Sequence, residues 1–306
     1  MTLVGAYAAK TDTGRKRRRN EDAFVLAPPL FAVADGMGGA QAGEIASKLA
    51  AAALEDTDAG RLTGPEKVAS LIQEANRRVH ERSSVDPATS GMGTTMTVAL
   101  VEDEGVVIGH VGDSRAYLVR GQEIEQLTED HSLVNELLKS GKLSPEEAET
   151  HPQRSVITRA VGTDPDVDVD SFVVHTQDGD VFLICSDGLT DMVDDERILE
   201  TVERHRGNLD RLTKQLVTAA NRGGGEDNIT VVAFAIGSTG GAVDADDTAT
   251  MEAVSLPTED ETTENVGVRA PVPAAVGPPI GRVRVVFAGL VVLALLVSLL
   301  LWGLLH

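Results

Sequence analysis

The chain has 306 residues, of which 42% are hydrophobic, and a formal net charge of −21 at pH 7. This length can bury the core of one large domain or two ordinary ones, and so acidic a surface argues against a nucleic-acid partner because it repels phosphate backbones. The single cysteine, Cys185, excludes an internal disulfide and lies inside an apolar run, as a small core side chain does. No group of Cys and His has zinc-site spacing.

The first 237 residues alternate short strand patterns with helical ones. The strand patterns are rich in β-branched residues and are bounded by Gly, Asp or Pro. Many of them come as neighbouring pairs, as the strands of antiparallel sheets do. The predicted strands are Leu3–Ala9, Ala23–Ala27, Leu30–Ala34, Thr94–Val101, Val106–Val111, Ala116–Arg120, Val167–Val174, Val181–Cys185 and Ile229–Ile236.

Helices are predicted where apolar residues recur every three or four positions. Ile45, Leu49 and Ala53 would share one face of the first helix. Because the helices, like the strands, are grouped in pairs, the pattern predicts an α+β fold with antiparallel sheets covered by helix pairs. The second helix would bury Val68, Leu71, Ile72, Ala75 and Val79, and further helices are predicted over Ser132–Lys139, Asp195–His205 and Leu209–Asn221.

The last 69 residues have a different composition. Residues 238–282 are rich in Gly, Pro, Thr, Asp and Glu, which predicts a disordered acidic linker. No charge occurs from Val285 to Leu305, and at about 1.5 Å per residue this run spans roughly 30 Å. A buried core helix is rarely apolar on every face, so residues 283–306 are predicted to form one transmembrane helix. Arg282 and Arg284 precede the span, so the preceding domain is expected in the cytoplasm, at the cell membrane.

Two predicted core strands end in a carboxylate followed by glycine. LFAVADGMGG places Asp35 and Gly36 after one strand, and VFLICSDGL places Asp187 after another. A buried carboxylate is costly unless it is paired with a cation or binds a metal. Asp-Gly is also a common turn dipeptide, so one such site alone would indicate little.

Further carboxylates lie at strand ends: the pair Glu21-Asp22 before one strand, Asp113 after VVIGHV and Asp227 before NITVVAFA. If the strands are neighbours, these acids converge at one end of the sheets. They offer only oxygen ligands, which favours Mg²⁺ or Mn²⁺ over Zn²⁺. Glycine lets a backbone carbonyl turn toward a metal. Two cations bridged by one carboxylate would hold a water of lowered pKa for in-line displacement at phosphorus.

A basic run, Arg15–Arg19, lies directly before Glu21. Such a run can indicate nuclear localisation or nucleic-acid binding. In an acidic chain, and beside these carboxylates, a clamp for a substrate phosphate is the better interpretation, because the planar guanidinium binds phosphate bidentately.

Eight motifs in order resemble one known family. The resemblance covers roughly Leu3 to Ile236 and is to the metal-dependent type 2C (PPM) serine/threonine protein phosphatases, especially their bacterial, membrane-anchored branch. The motifs are TDTGRKRRRNEDAF, FAVADGMGGAQAGE, SGMGTTMTVAL, GHVGDSRAYL, LTEDHS, HPQRSVITRAVGT, LICSDGL and GEDNITVVAF.

The resemblance implies a central antiparallel β-sandwich flanked by helix pairs on both faces, with Mn²⁺ or Mg²⁺ at one end, two ions per site and in bacterial members a weaker third. Arg17 would grip the substrate phosphate, and residues Ser132 to Arg159 would form a mobile flap. In the implied metal site, Asp35 would bridge two ions. The Gly36 carbonyl would bind one of these ions and Glu21 would hold its waters, while Asp187 and Asp227 would bind the other. Asp113 and Asp187 would bind the third ion, and Asp22 would orient metal-bound water.

Two positions depart from the family pattern. Met37 stands where many eukaryotic members have a histidine assigned as general acid, so protonation of the leaving group would fall to metal-bound water. Ser155 stands where many relatives have asparagine, which affects only the flap.

The sequence is therefore interpreted as a single-pass membrane phosphatase that hydrolyses phosphoserine and phosphothreonine in proteins by attack of a metal-bridging hydroxide. Its catalytic residues would be Arg17, Asp35 and Asp187, and its partners phosphorylated proteins, including Ser/Thr protein kinases and their substrates. Two alternatives stay open: a tethered module that binds phosphoproteins without turnover, and a phosphohydrolase for small phosphoesters that uses the same metals.

Overall fold

The computed structural model describes residues 2–38, 42–57, 60–149 and 151–237. The predicted linker, 238–282, and the predicted membrane span, 283–306, lie outside the described residues, so both stay predictions. Within the described ranges, no helix is both long enough and apolar enough to cross a bilayer.

Eleven strands and seven α-helices make up the described chain, with a short 3₁₀ turn at Pro87–Thr89. The strands are β1 Val4–Asp12, β2 Asp22–Ala27, β3 Leu30–Met37, β4 Gly93–Thr94, β5 Met96–Glu102, β6 Gly105–Val111, β7 Arg115–Arg120, β8 Glu123–Gln126, β9 Asp170–Val174, β10 Val181–Cys185 and β11 Ile229–Ile236. The helices are α1 Ala42–Asp56, α2 Gly64–Val85, α3 Leu133–Lys139, α4 Pro145–Glu149, α5 Asp187–Thr190, α6 Asp195–His205 and α7 Leu209–Gly223.

The strands form two antiparallel sheets, with the orders β1-β11-β10-β7-β8 and β2-β3-β5-β6-β9, and β4 pairs with β3. Three aromatic rings lie between the sheets. Phe234 stacks on Phe31 with ring centroids 4.3 Å apart and on Phe182 at 5.1 Å. These rings belong to a core of residues from both sheets, so the sheets pack face to face as a sandwich.

Helix pairs cover both outer faces of the sandwich. One core joins α1 and α2 to the β2-β3-β5-β6-β9 sheet, and another joins α6 and α7 to the other sheet. Every apolar residue predicted on the buried face of α2 is buried. The predicted α+β fold, an antiparallel sandwich between helix pairs, is confirmed for the described residues. Cys185 is buried in β10, as predicted.

Two details of the sequence interpretation were wrong. Ile45 was assigned to the inward face of α1, but it is exposed; Ala53, predicted on the same face, is buried, and Ala46 and Ala50, which were not predicted there, also face the core. Small alanines allow this helix to approach the sheet closely, so the largest apolar residue does not mark the buried face. Strand β8 was missed because EIEQ carries two glutamates; it pairs with β7 at the edge of its sheet.

The N-caps of two helices offer a test of local stability. Asn208 caps α7 by accepting a hydrogen bond from the Arg211 backbone N–H at 2.9 Å, whereas Thr63 at the start of α2 makes no side-chain cap bond. Asn208→Ala is expected to lower the free energy of unfolding by about 1 kcal/mol. Thr63→Ala is the matched control and should change it much less. Denaturant titration of both variants measures the difference, and equal losses would contradict the assignment of Asn208 as the functional cap.

Candidate metal and phosphate site

The ends of several strands surround one cavity of about 940 Å³. Six of the seven residues predicted to bind metal line it, and so does Arg17. Asp22 does not line the cavity but is buried in its wall. The predicted residues that line it are Arg17, Glu21, Asp35, Gly36, Asp113, Asp187 and Asp227.

Antiparallel pairing explains why residues so far apart in sequence meet here. Asp22 at the start of β2 is the register partner of Asp35 near the end of β3. Asp187 follows the end of β10, and Asp227 precedes the start of the neighbouring strand β11. In an antiparallel pair the end of one strand lies beside the start of the next, so acids at alternating strand ends collect on one side.

Two hydroxyl groups donate hydrogen bonds to the carboxylate of Asp22. Thr230 Oγ1 donates to Asp22 Oδ2 at 2.6 Å and Ser186 Oγ donates to the same oxygen at 2.9 Å. The other oxygen, Oδ1, is buried and has no hydrogen-bond partner. Burial raises the pKa of Asp22 to about 6. The side chain is therefore fixed in place, and its Oδ1 accepts no hydrogen bond.

Asp35 and Asp187 have the least favourable surroundings for a negative charge. Burial, and then the nearby carboxylates of Asp22, Asp187, Asp113 and Asp227, raise the pKa of Asp35 well above its usual value. Burial and Asp113, in that order, do the same for the pKa of Asp187. Such clustering of like charges in a cleft is typical of functional sites.

Unpartnered oxygens identify what the cavity lacks. Oδ1 of Asp113 and Oδ1 of Asp187 are buried without a hydrogen-bond partner, as is Oδ1 of Asp22. Buried polar atoms are almost always satisfied, and these offer only hard oxygen donors. A divalent cation such as Mg²⁺ or Mn²⁺ fits that donor set. Among the described residues, no group of three His, Cys, Asp or Glu side chains is arranged so that it could hold a metal ion as it stands.

Gly36 lies where no larger residue fits. A Cβ atom there would be 2.1 Å from the Gly43 carbonyl oxygen and 2.6 Å from that of Glu21. The Gly36 N–H donates to the Glu21 carbonyl at 3.2 Å, and Ser47 Oγ donates to the same oxygen at 2.5 Å. The glycine thus lets β3, α1 and the Glu21 segment approach at the cavity wall.

Arg17 crosses the mouth of the cavity. Its Nη2 donates to Asp227 Oδ2 at 2.6 Å, and half of its side chain is exposed. Lys16, Arg18 and Arg19 also line the cavity, so the basic run predicted to clamp phosphate lies at the rim. In this arrangement the positive charge of Arg17 compensates the negative charge of Asp227.

The structure adds a carboxylate that sequence reasoning missed. Asp191 lines the cavity one helical turn after Asp187, and burial raises its pKa. Its nearest cation is Arg154, whose Nη2 lies 3.9 Å from Asp191 Oδ2. The signal was present in SDGLTD, where two aspartates four residues apart share one face of a short helix.

The predicted flap region, Ser132 to Arg159, contains α3 and α4 and contributes Arg154, Ser155 and Ile157 to the cavity. Its base is joined to the metal-side loop through His131. The Gly112 N–H donates to His131 Nδ1 at 3.0 Å, and Nε2 of the same ring lies 3.1 Å from Asp170 Oδ2. The loop that carries Asp113 is therefore tied to the start of the flap.

The metal-free protein is expected to lose stability as the pH rises from about 4 to about 7. Burial raises the pKa of Asp113 to about 7 and that of Asp22 to about 6, from a usual 3.8. An acid whose pKa is higher in the folded than in the unfolded chain holds its proton better when folded, so this stabilisation is complete at low pH and is lost as the pH rises through the folded pKa.

Thermal melting in the presence of a chelator, at a series of pH values, measures this loss. Asp113→Asn removes one of the carboxyl groups whose pKa is raised, so its melting temperature should fall less steeply over the same interval. An Asp113→Asn melting temperature that falls as steeply as that of the wild type would contradict the expectation.

Comparison with known proteins identifies the family of this chain. A family model described as protein phosphatase 2C matches residues 14–222. The chain belongs to the protein phosphatase 2C family. It is 42% identical over 234 residues to the serine/threonine phosphatase stp of Listeria monocytogenes, a match that covers 73% of this chain and 92% of that protein.

Relatives named PstP are similar in sequence and in structure. The chain is 41% identical over 236 residues to the serine/threonine protein phosphatase PstP of Mycobacterium tuberculosis, covering 76% of this chain and 45% of that longer protein. The crystal structure of PstP/Ppp from that organism superposes with a TM-score of 0.72 at 40% identity, covering 76% of this chain and 99% of the crystallised one. Another structure, of a PstP catalytic domain in complex with two manganese ions, has a TM-score of 0.68 at 36% identity, covering 76% and 98% of the two chains.

Proposed function

We propose that this 2C-family chain is a Mn²⁺- or Mg²⁺-dependent protein phosphatase that hydrolyses phosphoserine and phosphothreonine in proteins. The observation that carries the proposal is the cluster of buried carboxylates with three unpartnered oxygens, which lies beneath a basic rim. Relatives named serine/threonine phosphatases, one of them with two manganese ions, support it.

The position of each residue in the cavity indicates its proposed role. When bound, divalent cations supply Lewis-acid stabilisation of the phosphoryl oxygens and a water of lowered pKa. Asp35, Asp187, Asp227 and the Gly36 carbonyl would hold them, because these groups line the cavity. The further roles proposed for Glu21, Asp22 and Asp113 are those that the resemblance implies.

The wall of the cavity keeps the acids in place. Asp22 is fixed by the Ser186 and Thr230 hydroxyls at 2.9 and 2.6 Å. Asp35 is fixed through its backbone, because its N–H donates to Thr95 Oγ1 at 2.9 Å and its carbonyl accepts from Thr94 Oγ1 at 2.8 Å. Site residues held on strand ends lose little entropy when they bind a cation, since they are already oriented.

Thiol chemistry does not compete with this proposal. Burial raises the pKa of Cys185 to about 12, and its side chain is fully enclosed in β10. A nucleophilic cysteine needs an accessible thiolate, so this residue serves packing alone.

Phosphate release from a phosphothreonine peptide by the full-length chain tests the function. We expect release with Mn²⁺ or Mg²⁺ and none with a chelator, and a higher kcat/KM for the peptide than for a small phosphoester. If the folded protein binds the peptide but releases no phosphate with either cation, it is a phosphoprotein-binding module. If small phosphoesters are preferred, the substrate class is wrong.

Arg17 and its neighbour Arg18 provide a matched pair for the phosphate clamp. Arg17→Ala is expected to reduce kcat/KM for the phosphopeptide about thirtyfold, because a charge-assisted bidentate contact to phosphate is lost. Arg18→Ala, which removes the same charge from the same rim, should reduce it about threefold or less. Steady-state kinetics of both variants decide the assignment, and equal effects would show that the rim acts only through its summed charge.

Membrane attachment and opposition to Ser/Thr kinases are the remaining parts of the proposal. The charge-free run from Val285 to Leu305, with Arg282 and Arg284 before it, supports a single span with the phosphatase domain in the cytoplasm. Membrane fractionation with protease protection tests it: the full chain should sediment with membranes, and the domain should be cleaved only from the cytoplasmic side. Recovery of the full chain in the soluble fraction would refute the anchor.

A further inference from the structure

A basic surface lies around α7, outside the catalytic cavity. One cavity of about 330 Å³ lies between α6 and α7, and another of about 330 Å³ lies between α7 and the end of β1. Arg222, in the last turn of α7, lines both of the cavities that flank this helix. We call the following set the α7 basic surface: Lys10, Arg15, Arg197, Arg204, Lys214 and Arg222.

Helical spacing brings the arginines of the first cavity together. On α6, Arg197, Thr201 and Arg204 follow one another at intervals of four and three residues and line the groove. On α7, Ala219 and Arg222 do the same from the other side. Side chains at such spacing share one face of a helix, so two facing rows form the groove.

These cations lack the partners that arginines have elsewhere in the fold. Among the described residues, no member of the α7 basic surface forms an ion pair, whereas Arg77, Arg115 and Arg120, for example, each pair with a carboxylate. The one carboxylate that lines either cavity is Asp12, whose Oδ1 accepts from the Gly14 N–H and from Asn221 Nδ2. In a chain of net charge −21, the two cavities beside α7 are thus lined by more basic than acidic side chains.

His205 lies beside the arginines of the α6–α7 groove. Burial, and then the guanidinium groups of Arg211 and Arg204, lower the pKa of His205 from its usual range. His205 lines the groove between the helices, so it is neutral there at pH 7 and offers a hydrogen bond rather than a further charge.

The α7 basic surface adjoins the catalytic cavity. Met192 lines both the α6–α7 groove and the catalytic cavity. On the other side of α7, the Gly225 carbonyl accepts from the Arg15 N–H at 2.7 Å and from the Lys16 N–H at 3.2 Å, and Lys16 lines the catalytic cavity. A peptide that leaves the catalytic cavity on the side of Met192 would lie beside the arginines of the α6–α7 groove.

We propose that the α7 basic surface binds acidic side chains that flank the phosphorylated residue of a protein substrate. The proposal rests on the function proposed above and adds a substrate class to it. Carboxylates beside the target residue would lie outside the catalytic cavity. Guanidinium groups outside that cavity, which bind carboxylates through their planar fork, would attract them. Within about 8 Å, salt does not screen this attraction fully.

Two phosphothreonine peptides test the proposal with the full-length chain and Mn²⁺. One has glutamates around the phosphothreonine and the other has glutamines at the same positions. The variants are Arg222→Gln, the triple variant Arg197→Gln/Arg204→Gln/Arg222→Gln, and the control Arg61→Gln. Arg61 is exposed before α2, on the opposite side of the sandwich. Circular dichroism melting checks that each variant is folded.

We expect the triple variant to lose about tenfold in kcat/KM on the glutamate peptide, through KM, because several partly exposed ion pairs are removed together. Arg222→Gln should lose less, and Arg61→Gln almost nothing. The glutamine peptide and the small ester p-nitrophenyl phosphate should be hydrolysed at unchanged rates by all variants. Added salt should reduce the preference of the wild type for the glutamate peptide.

Other outcomes overturn the proposal. If folded variants hydrolyse both peptides as the wild type does, the α7 basic surface takes no part in substrate binding. If instead the triple substitution lowers sedimentation with phosphatidylglycerol vesicles and leaves both peptides unaffected, the surface faces a membrane. Fluorescence anisotropy of the peptides measures binding without turnover, so a wild type that binds the glutamate peptide preferentially but releases no phosphate contradicts the proposed function and not this surface.

Discussion

Asp187→Asn is expected to abolish most of the phosphatase activity and, without metal, to make the protein more stable. The variant keeps the shape of the side chain and loses its charge. Cation-dependent phosphate release should fall about a thousandfold, because a cation ligand contributes several kcal/mol to transition-state stabilisation. Without metal, the same charge destabilises the folded protein, because Asp187 is buried beside Asp113 and Asp227.

Two measurements on the purified variant check this pair of effects. Phosphate release with Mn²⁺ gives the activity, and thermal melting in a chelator gives the stability. Asp103→Asn is the matched control, because Asp103 is exposed in the turn between β5 and β6 and should change neither. A folded Asp187→Asn protein that keeps its activity, or that melts below the wild type in chelator, would be incompatible with the carboxylate cluster as the cation site.

Gly36→Ala is expected to lower the free energy of unfolding by about 3 kcal/mol, with loss of most activity in the protein that remains folded. The added Cβ would lie 2.1 Å from the Gly43 carbonyl oxygen and 2.6 Å from the Glu21 carbonyl oxygen. Both neighbours are backbone atoms, so α1 and the Glu21 segment would have to move away from β3. That movement displaces the cavity wall beside Asp35.

The control is a glycine with open space around it. No atom lies within 4 Å of a Cβ added at Gly207, which is not among the glycines with positive φ. Gly207→Ala should therefore leave both the denaturation midpoint and the phosphate release close to wild type. Denaturant titration and the phosphopeptide assay measure both variants, and a Gly36→Ala protein as stable as Gly207→Ala would mean that the backbone contacts at Gly36 relax without cost.

The strands that build the site could be predicted because their sequences are locally consistent. VFLIC and ITVVAFAI are runs of apolar residues, many of them β-branched, with Asp187 and Asp227 directly outside them. The resemblance then indicated which acids would meet. The inward position of Ala46 and Ala50 in α1 could not be predicted in this way, because these residues pack against the sheet through their small size while the larger Ile45 is exposed.

Sequence alone determined which chemical groups the site can use. The candidate metal ligands are oxygen atoms, no group of Cys and His has zinc-site spacing, the one cysteine is inert, and a basic run lies beside acids at strand ends. Those properties belong to single residues and their nearest neighbours. The tertiary structure decided which charges compensate one another, and it did so through contacts across the sheets. Arg17 reaches Asp227 over 210 positions of sequence, and Asp22 is held by Thr230 over 208. It also gathered unpaired cations around Arg222 from β1, α6 and α7, because the electrostatic energy of a charge depends on its neighbours in space and not on its neighbours in the chain.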